Sequence, residues 1–246
     1  MAARVQPTQF AILCALFAMS LAGKVLAGPL EDAASARRGG DYPRAERVLE
    51  PLAERGDVHA QYDLGTLYAD PSRTQDVPKA AVWFRRAAEQ GYAPAQAMLG
   101  GMYAMGGGVA SDPSQAALWF RRAADQGDAE GEAGLAVCYA RGVGVPQDDK
   151  QVFFWFKKAA DHGLMAAQLN VAMLYQSGRG VARDDTQALM WLDLASSHAL
   201  PDNIESAALA VKARDALSAR MTEAQVGEAK QLAATWATVH LAPQRQ

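Results

Sequence analysis

The stretch WFRRAAEQG, from Trp83 to Gly91, returns as WFRRAADQG from Trp119 to Gly127, 36 positions later. Tryptophan falls in the same phase twice more, at Trp155 and Trp191. Self-similarity at a fixed period of about 20 to 50 residues is typical of stacked repeats, in which a single unit cannot bury its hydrophobic face alone. The sequence therefore predicts an architecture made from one repeated unit.

Each unit contains two predicted helices separated by a turn, which is glycine-rich in the last three units but reads ADPSRTQDVP in the first. The first helix places Ala95, Leu99 and Tyr103 at four-residue spacing, which is one face of an amphipathic helix. Asp112 and Pro113 then predict the start of the second helix, because an N-cap carboxylate accepts from free backbone N–H groups and proline is tolerated in the first turn. The second helix carries the recurring tryptophan beside paired alanines and ends at a glycine.

The combined pattern AxxxLGxxYxxGxGVxxDxxxAxxWxxxAAxxG resembles the Sel1-like repeat, a relative of the tetratricopeptide repeat. Four units carry it, at residues 58–92, 93–128, 129–164 and 165–200. Residues 28–57 look like a degenerate N-terminal helical repeat that lacks the tryptophan. The resemblance implies an all-α fold, a right-handed α-solenoid of stacked helix-turn-helix repeats.

The period stops near Pro201, and residues 201–246 predict a C-terminal pair of capping helices. A solenoid needs a cap with a polar outer face at its open end. Thr222 and Gln225 are spaced as a capping box, which marks the start of the last helix.

The N-terminus differs from the rest of the chain. Phe10 to Gly23 is an apolar run without a charge, shorter than the about 20 residues that a membrane-spanning helix needs. A basic start, a short apolar core and the small residues before Gly28 are typical of an export signal. We expect a signal peptide over residues 1–27 and a periplasmic or secreted protein. The alternative is an uncleaved N-terminal anchor.

Charge and composition exclude several kinds of partner. The chain carries a net charge of −3, and cleavage after Ala27 would make it more acidic because Arg4 and Lys24 would be lost. A mildly acidic chain has no electrostatic footprint for nucleic acid or anionic lipid. We therefore expect a protein or peptide partner in the envelope, no nucleic acid, and no membrane insertion after signal cleavage.

No motif carries catalytic, metal or cofactor chemistry. Cys138 is the one cysteine outside the signal segment, and the four histidines show no ligand spacing. The GxG turns follow helices instead of strands and lack a P-loop lysine, which disfavours phosphate binding. We predict a protein that is not an enzyme and has no cofactor. The alternative is β-lactam binding or hydrolysis, which the resemblance implies for cysteine-rich family members whose paired cysteines are missing here.

The first helices also predict a binding stripe. At 100° per residue, the positions five and two before each tyrosine and two after it point away from the core. A purely solvated stripe would be charged, whereas this one is small, polar and rich in methionine. The resemblance implies that first helices line the concave face. We predict that a partner binds on this concave stripe, which comprises Asp63, Thr66, Met98, Met105, Val137, Arg141, Asn170 and Met173. The alternative is that second helices cover these positions and the methionines are core.

The second helices repeat a tryptophan and a basic pair. In-phase tryptophans beside alanine pairs favour a core between helices over a stacking platform for bases or sugars. The basic pairs predict a solvated face, or alternatively a ridge for an acidic partner; they are Arg85-Arg86, Arg121-Arg122 and Lys157-Lys158. Proteins with this resemblance often act as adaptors. We therefore predict a non-enzymatic protein–protein interaction scaffold or adaptor of the bacterial cell envelope.

Overall fold

The structure is a computed structural model that describes residues 28–71, 76–197 and 204–240. The predicted signal segment, residues 1–27, lies outside the described residues. The chain divides into two compact units, one ending at Leu67 and the other beginning at Tyr68. The described residues form twelve helices and no strand.

Four helices begin at or before residue 77: α1 Pro29–Arg38, α2 Tyr42–Glu54, α3 Val58–Ala69 and α4 Val77–Glu89. The central helices are α5 Ala93–Met105, α6 Pro113–Ala124, α7 Ala129–Arg141 and α8 Asp149–Asp161. The remaining four are α9 Met165–Ser177, α10 Asp185–Ser197, α11 Ile204–Ser218 and α12 Glu223–His240. The first helices of the four repeats are therefore α3, α5, α7 and α9, and the second helices are α4, α6, α8 and α10.

Local signals set the ends of these helices. The carboxylate of Asp112 accepts hydrogen bonds from the backbone N–H groups of Ser114 (2.9 Å) and Gln115 (3.1 Å), as predicted for the start of α6. The last helix begins with the predicted capping box, because Thr222 N donates to Gln225 Oε1 at 3.0 Å and Gln225 N donates to Thr222 Oγ1 at 3.3 Å. The sequence thus specifies these boundaries locally.

In the second unit each helix packs on the next one along the chain, from α4 to α10. This sequential packing confirms the predicted fold class, an all-α solenoid of helix-turn-helix repeats. The four recurring tryptophans of the second helices are buried, with 1–7% of their surface exposed. They are core residues, as their phase predicts, and the stacking-platform alternative is wrong.

Glycines on the first helices let the neighbouring helix approach closely. The ring of Phe120 on α6 lies against Gly100 of α5, where a Cβ would come within 2.9 Å of the ring. The same ring occupies the space beside Gly134 of α7. Gly134 lies five residues before Tyr139, a position that the helical wheel turns away from the core; this expectation is wrong for Gly134 because the Phe120 ring covers it.

Each glycine turn requires glycine at two positions, for two different structural reasons. Its first glycine ends the first helix in the left-handed region, as Gly106 does at φ 73°. The glycine two residues later lies against the preceding repeat: a Cβ on Gly108 would collide with the backbone carbonyl of Val77, at the start of α4. Gly144 meets Pro113, at the start of α6, in the same way. The turn is thus a joint between consecutive repeats.

The C-terminal helices pack on the last repeat in an unexpected order. α11 packs against α10, and α12 packs mainly against α10 as well instead of against α11. The indole of Trp236 on α12 donates to Asp161 Oδ1 at 3.0 Å and makes an edge contact with Trp191 at 5.7 Å between ring centroids. The predicted capping pair is present, and its second helix folds back over the second helices. None of the helices in the described ranges is long and apolar enough to cross a membrane.

Candidate functional site

The first helices of the second unit expose apolar side chains. Met98 and Met105 on α5 are 39% and 82% exposed, and Val137 on α7 and Met173 on α9 are 38% and 64% exposed. Large apolar side chains on a helix face in water are common singly, but here they recur on three consecutive first helices. The alternative that these methionines belong to the core is wrong; the buried methionine of α5 is Met102.

Two polar members of the predicted stripe lie beside these apolar residues in sequence. Arg141, at the end of α7, is exposed, and within the described residues its guanidinium has no hydrogen bond or ion pair. Asn170 on α9 is half-buried, and its Nδ2 donates to the carbonyl of Ala166 at 2.8 Å. Arg141 therefore has free donors, whereas the Asn170 amide is engaged with its own helix.

The other two predicted stripe residues belong to the first unit, and both are half-buried. The hydroxyl of Thr66 accepts from Arg37 Nη1 at 2.8 Å and donates to the carbonyl of Asp63 at 2.8 Å. Burial raises the pKa of Asp63, against the opposing charges of Arg37 and His59. Both side chains interact with their own unit, unlike the exposed methionines of α5 and α9.

The basic pairs of the second helices are stacked on aromatic rings. The second member of each pair covers the tryptophan of its own helix, as Arg122 covers Trp119 with 4.5 Å from guanidinium carbon to ring centroid. The first member extends to the next repeat: Arg121 donates to the Tyr139 hydroxyl and lies 5.4 Å from the Trp155 centroid. These cation–π contacts favour keeping each cation over a ring. The basic face therefore also joins consecutive repeats.

A buried carboxylate in the third repeat escaped the sequence analysis. Glu132 is fully buried and lies 3.1 Å from both Lys158 Nζ and His162 Nδ1. The other repeats have glutamine at this position, and Gln96 there donates to the carbonyl of Ala88 at 3.1 Å. The sequence did contain a signal for this cluster: at this repeat position the third repeat has glutamate where the others have glutamine. The cluster replaces an amide hydrogen bond by an ion pair with Lys158 and a contact with the imidazole of His162 inside the stack.

The remaining candidates for chemistry are structural. Cys138 is free and buried, and burial raises the pKa of its thiol against the opposing charge of Arg141. A nucleophilic cysteine needs a lowered pKa and access to substrate. Over the ranges that the structure describes, no three His, Cys, Asp or Glu side chains are grouped to hold a metal ion.

Comparison with known proteins gives one consistent result. The model of the Sel1 repeat family matches residues 58–92, 93–128, 129–164 and 166–199. None of the curated proteins matches the chain.

Solved structures that are similar to this one include two Sel1-type repeat proteins. The first is a protective antigen present in uropathogenic Escherichia coli strains that displays an SLR fold; it is 31% identical with a TM-score of 0.72, over 80% of this chain and 41% of that chain. The second is a Sel1 repeat protein from Oxalobacter formigenes, 26% identical with a TM-score of 0.64, over 82% of this chain and 78% of that chain. The chain thus spans less than half the length of the first of these proteins.

Proposed function

The chain belongs to the Sel1 repeat family, and we propose that it is a non-enzymatic scaffold or adaptor of the bacterial cell envelope that binds a segment of a partner protein along its first helices. The proposed surface comprises Met98, Met105, Val137, Arg141, Asn170 and Met173. We expect it to be the concave face, as the relation to tetratricopeptide solenoids implies.

The exposed apolar side chains on three consecutive first helices carry this proposal. Folding alone gives no reason to keep Met105 at 82% and Met173 at 64% exposure, because each leaves apolar area in water. Burial of such area by a partner is favourable by about 25 cal/mol per Å². Methionine is unbranched and polarizable, so it adapts to different apolar surfaces. The unpaired guanidinium of Arg141 would add hydrogen-bond donors for a carbonyl or carboxylate of the partner.

The N-terminal sequence supports the location in the envelope. Residues 1–27 have the order of an export signal, with a basic start, an apolar core and small residues before Gly28. The similar solved structures come from bacteria. N-terminal sequencing of the protein purified from its native host tests this point: we expect a start near Gly28, and a membrane-bound protein that starts at Met1 or Ala2 would contradict it.

The absence of catalysis has a direct test. A raised thiol pKa and burial leave Cys138 poorly suited to attack a β-lactam carbonyl. We expect no hydrolysis of nitrocefin by the purified protein. Turnover that disappears in Cys138→Ala would establish the enzymatic alternative.

The binding surface is tested by comparing affinity with folding in the same variants. A partner is first captured by crosslinking from envelope extracts, and its affinity is then measured for Met98→Glu, Met105→Glu and Met173→Glu. We expect each charge to weaken binding because it must be desolvated in the interface. The free energy of unfolding should change by no more than about 0.5 kcal/mol, as for surface substitutions.

A matched control is Val239→Glu on α12, which changes another apolar side chain that is 71% exposed. It should leave both affinity and folding unchanged. If all three methionine variants bind the partner normally, the interface lies elsewhere and the proposal fails.

A further inference from the structure

The second helices expose a large apolar side chain at one fixed position of the repeat. Val82 on α4, Leu118 on α6 and Phe154 on α8 are 51%, 42% and 49% exposed. Each directly precedes a buried tryptophan, and consecutive members are 36 residues apart. We call these three residues the second-helix ridge. A basic residue follows each of them four positions later, on the same helix face.

The fourth repeat shows the same position in a covered state. There the position is Met190 on α10, and only 6% of it is exposed. α10 packs against α12, and Met190 lies in one hydrophobic cluster with Ala229, Ala233 and Trp236 of that helix. The position that is exposed in three repeats is therefore core in the fourth, the repeat on which α12 packs.

The interface of α12 also extends toward the third repeat. Trp236 contacts Trp191 on α10 and donates to Asp161, the last residue of α8. Phe154, the third member of the ridge, lies on that same α8 and makes an edge contact with Trp155 at 4.9 Å between centroids. The second-helix ridge thus lies in line with the surface of α10 on which α12 packs. It extends that surface to the first three repeats, where no helix of the described residues covers it.

The side chains differ between the covered and the uncovered parts. In the fourth repeat the position four residues after Met190 is Leu194, 4% exposed, whereas the uncovered repeats have a cation there: Arg86, Arg122 or Lys158. A permanently covered position can be wholly apolar, but an interface that is also exposed to water must combine apolar and charged groups. Arg86 and Arg122 lie over the tryptophan rings of their own helices, and Lys158 does so while it also pairs with Glu132. The positive charge that these residues bring to the surface favours an occupant that carries negative charge.

We propose that the second-helix ridge binds an amphipathic α-helix of a partner protein, with an apolar stripe that packs on Val82, Leu118 and Phe154 and acidic side chains that pair with the adjoining cations. This surface is separate from the first-helix surface proposed above. A groove of about 290 Å³ beside Val82 has room for an apolar side chain of that helix; it is lined by Ala81 and Val109 and by the charged residues Arg85, Arg86 and Glu89.

The probe is a fluorescein-labelled synthetic peptide of about 18 residues, long enough to form a helix, with leucines at helical spacing flanked by glutamates. A second peptide has lysines in place of the glutamates. Fluorescence anisotropy with the full chain should show binding of the glutamate peptide and at least about tenfold weaker binding of the lysine peptide. Raising the salt concentration from about 0.05 to 0.5 M should weaken the glutamate peptide several-fold. No binding of the glutamate peptide at about 1 mM protein, or equal binding of both peptides, overturns the proposal.

Variants locate the peptide. Leu118→Glu and Phe154→Glu should each weaken binding by about tenfold or more, because they place a carboxylate at the centre of the interface. Arg122→Gln should weaken binding less and reduce its salt dependence. The matched control is Leu209→Glu on α11, an equally apolar side chain that is 64% exposed and lies outside the ridge. Thermal melts should be unchanged in Leu118→Glu and Leu209→Glu, and slightly lower in Phe154→Glu and Arg122→Gln, which lose their ring contacts with Trp155 and Trp119.

Two outcomes separate this proposal from its alternatives. If Met105→Glu weakens the peptide as strongly as Leu118→Glu does, the peptide binds on the first helices and the ridge proposal fails while the proposed function stands. Cosedimentation with vesicles that contain phosphatidylglycerol tests a lipid surface. Vesicle binding that Phe154→Glu abolishes, in a protein that does not bind the glutamate peptide, overturns the helix partner in favour of a membrane.

Discussion

In the second repeat, the outer positions of α6 are Leu118, which is 42% exposed, and the exposed Arg122. In the fourth repeat, the same positions of α10 are Met190 and Leu194, which are 6% and 4% exposed. Both helices carry a buried tryptophan at the same place in the repeat. The helices differ in what lies on them, because α12 packs on α10.

This difference separates two kinds of information in a repeat. The position within the period determines which residue faces the neighbouring repeat, so the tryptophans are core in all four units. It does not determine whether the outer face meets water or another helix. That depends on where a distant segment packs, and in this protein residues 223–240 return to the fourth repeat.

The largest expected effect comes from the tryptophans that the two repeats share. Trp119→Ala and Trp191→Ala should each lower the free energy of unfolding by about 3–5 kcal/mol, as for large buried aromatics. Trp191→Ala should cost more, because it also removes the contact with Trp236 and weakens the packing of α12. Chemical denaturation followed by circular dichroism measures both.

Because solenoid stability is a sum of local and neighbour terms, Trp119→Ala should also uncouple the flanking repeats and broaden the transition. A single transition with an unchanged midpoint would show that Trp119 does not contribute to the core.

The outer positions test the comparison directly. Met190→Glu should lower the free energy of unfolding by about 2–5 kcal/mol, because it replaces a buried apolar side chain with a carboxylate that must be desolvated. Leu118→Glu, at the same position of the second repeat, should change it by no more than about 0.5 kcal/mol. Equal losses in the two variants would mean that α12 is not what buries Met190. Urea titration of the paired variants gives the result.

The third repeat differs from the second and fourth by a carboxylate in place of a buried amide. The second and fourth repeats have Gln96 and Gln168 where the third has Glu132. Gln96→Glu should lower the free energy of unfolding by about 1–3 kcal/mol, because it buries a carboxylate that cannot donate to the carbonyl of Ala88, which keeps only its backbone hydrogen bond from Gly91.

Glu132→Gln is the reverse exchange, and we expect a smaller change, since its amide can donate to the carbonyl of Ala124 as the other repeats do and its partners Lys158 and His162 reach solvent. Thermal melts at neutral pH compare the two variants. A loss at Glu132→Gln that exceeds the loss at Gln96→Glu would contradict this order.

The smallest expected effect concerns charge. Asp193 stands in the fourth repeat where the second has Arg121. Burial raises the pKa of Asp193, and the nearby charges of Arg214 and Lys230 oppose the shift. Because the folded-state pKa lies above the unfolded one, the folded state binds the proton more tightly, and the stability contributed by this group falls as the pH rises through that interval.

Asp193→Asn should therefore raise the melting temperature slightly at neutral pH, and the difference should disappear once the wild-type carboxyl is protonated. Melting curves across the acidic range test this. A lower melting temperature for the variant at neutral pH would mean that attraction to Arg214 outweighs desolvation.

Much of the fold could be predicted because its signals are local and repeated. The capping box of Thr222 and Gln225, the N-cap at Asp112 and the buried tryptophans all follow from residue type and spacing within one unit. The exposed methionines were also predicted, since a helical wheel needs only the position of the core. Binding of a partner to them stays a prediction.

Other features could not be predicted from one unit. The helical wheel predicts that Gly134 is exposed, but Phe120 of the preceding helix lies over it. A helical wheel describes a single helix and cannot show contacts with a neighbouring one. The basic pairs were expected on a solvated face, but Arg121 lies over the ring of the next repeat. In the sequence, the three ridge residues and Met190 look alike, because each directly precedes a tryptophan. Only the structure shows that the ridge residues are exposed and that Met190 is buried.

By itself, the sequence determined the repeat, the two helices of each unit, their ends and the residues that face the next repeat, since all of these depend on contacts within a turn or a period. Only the tertiary structure decided that α12 packs on α10, that Glu132 meets Lys158 and His162, and that the ridge is left uncovered. Those outcomes depend on segments that are distant along the chain. Whether such segments make contact depends on the apolar area that they bury and on the charges that they bring together, and a local sequence pattern contains neither quantity.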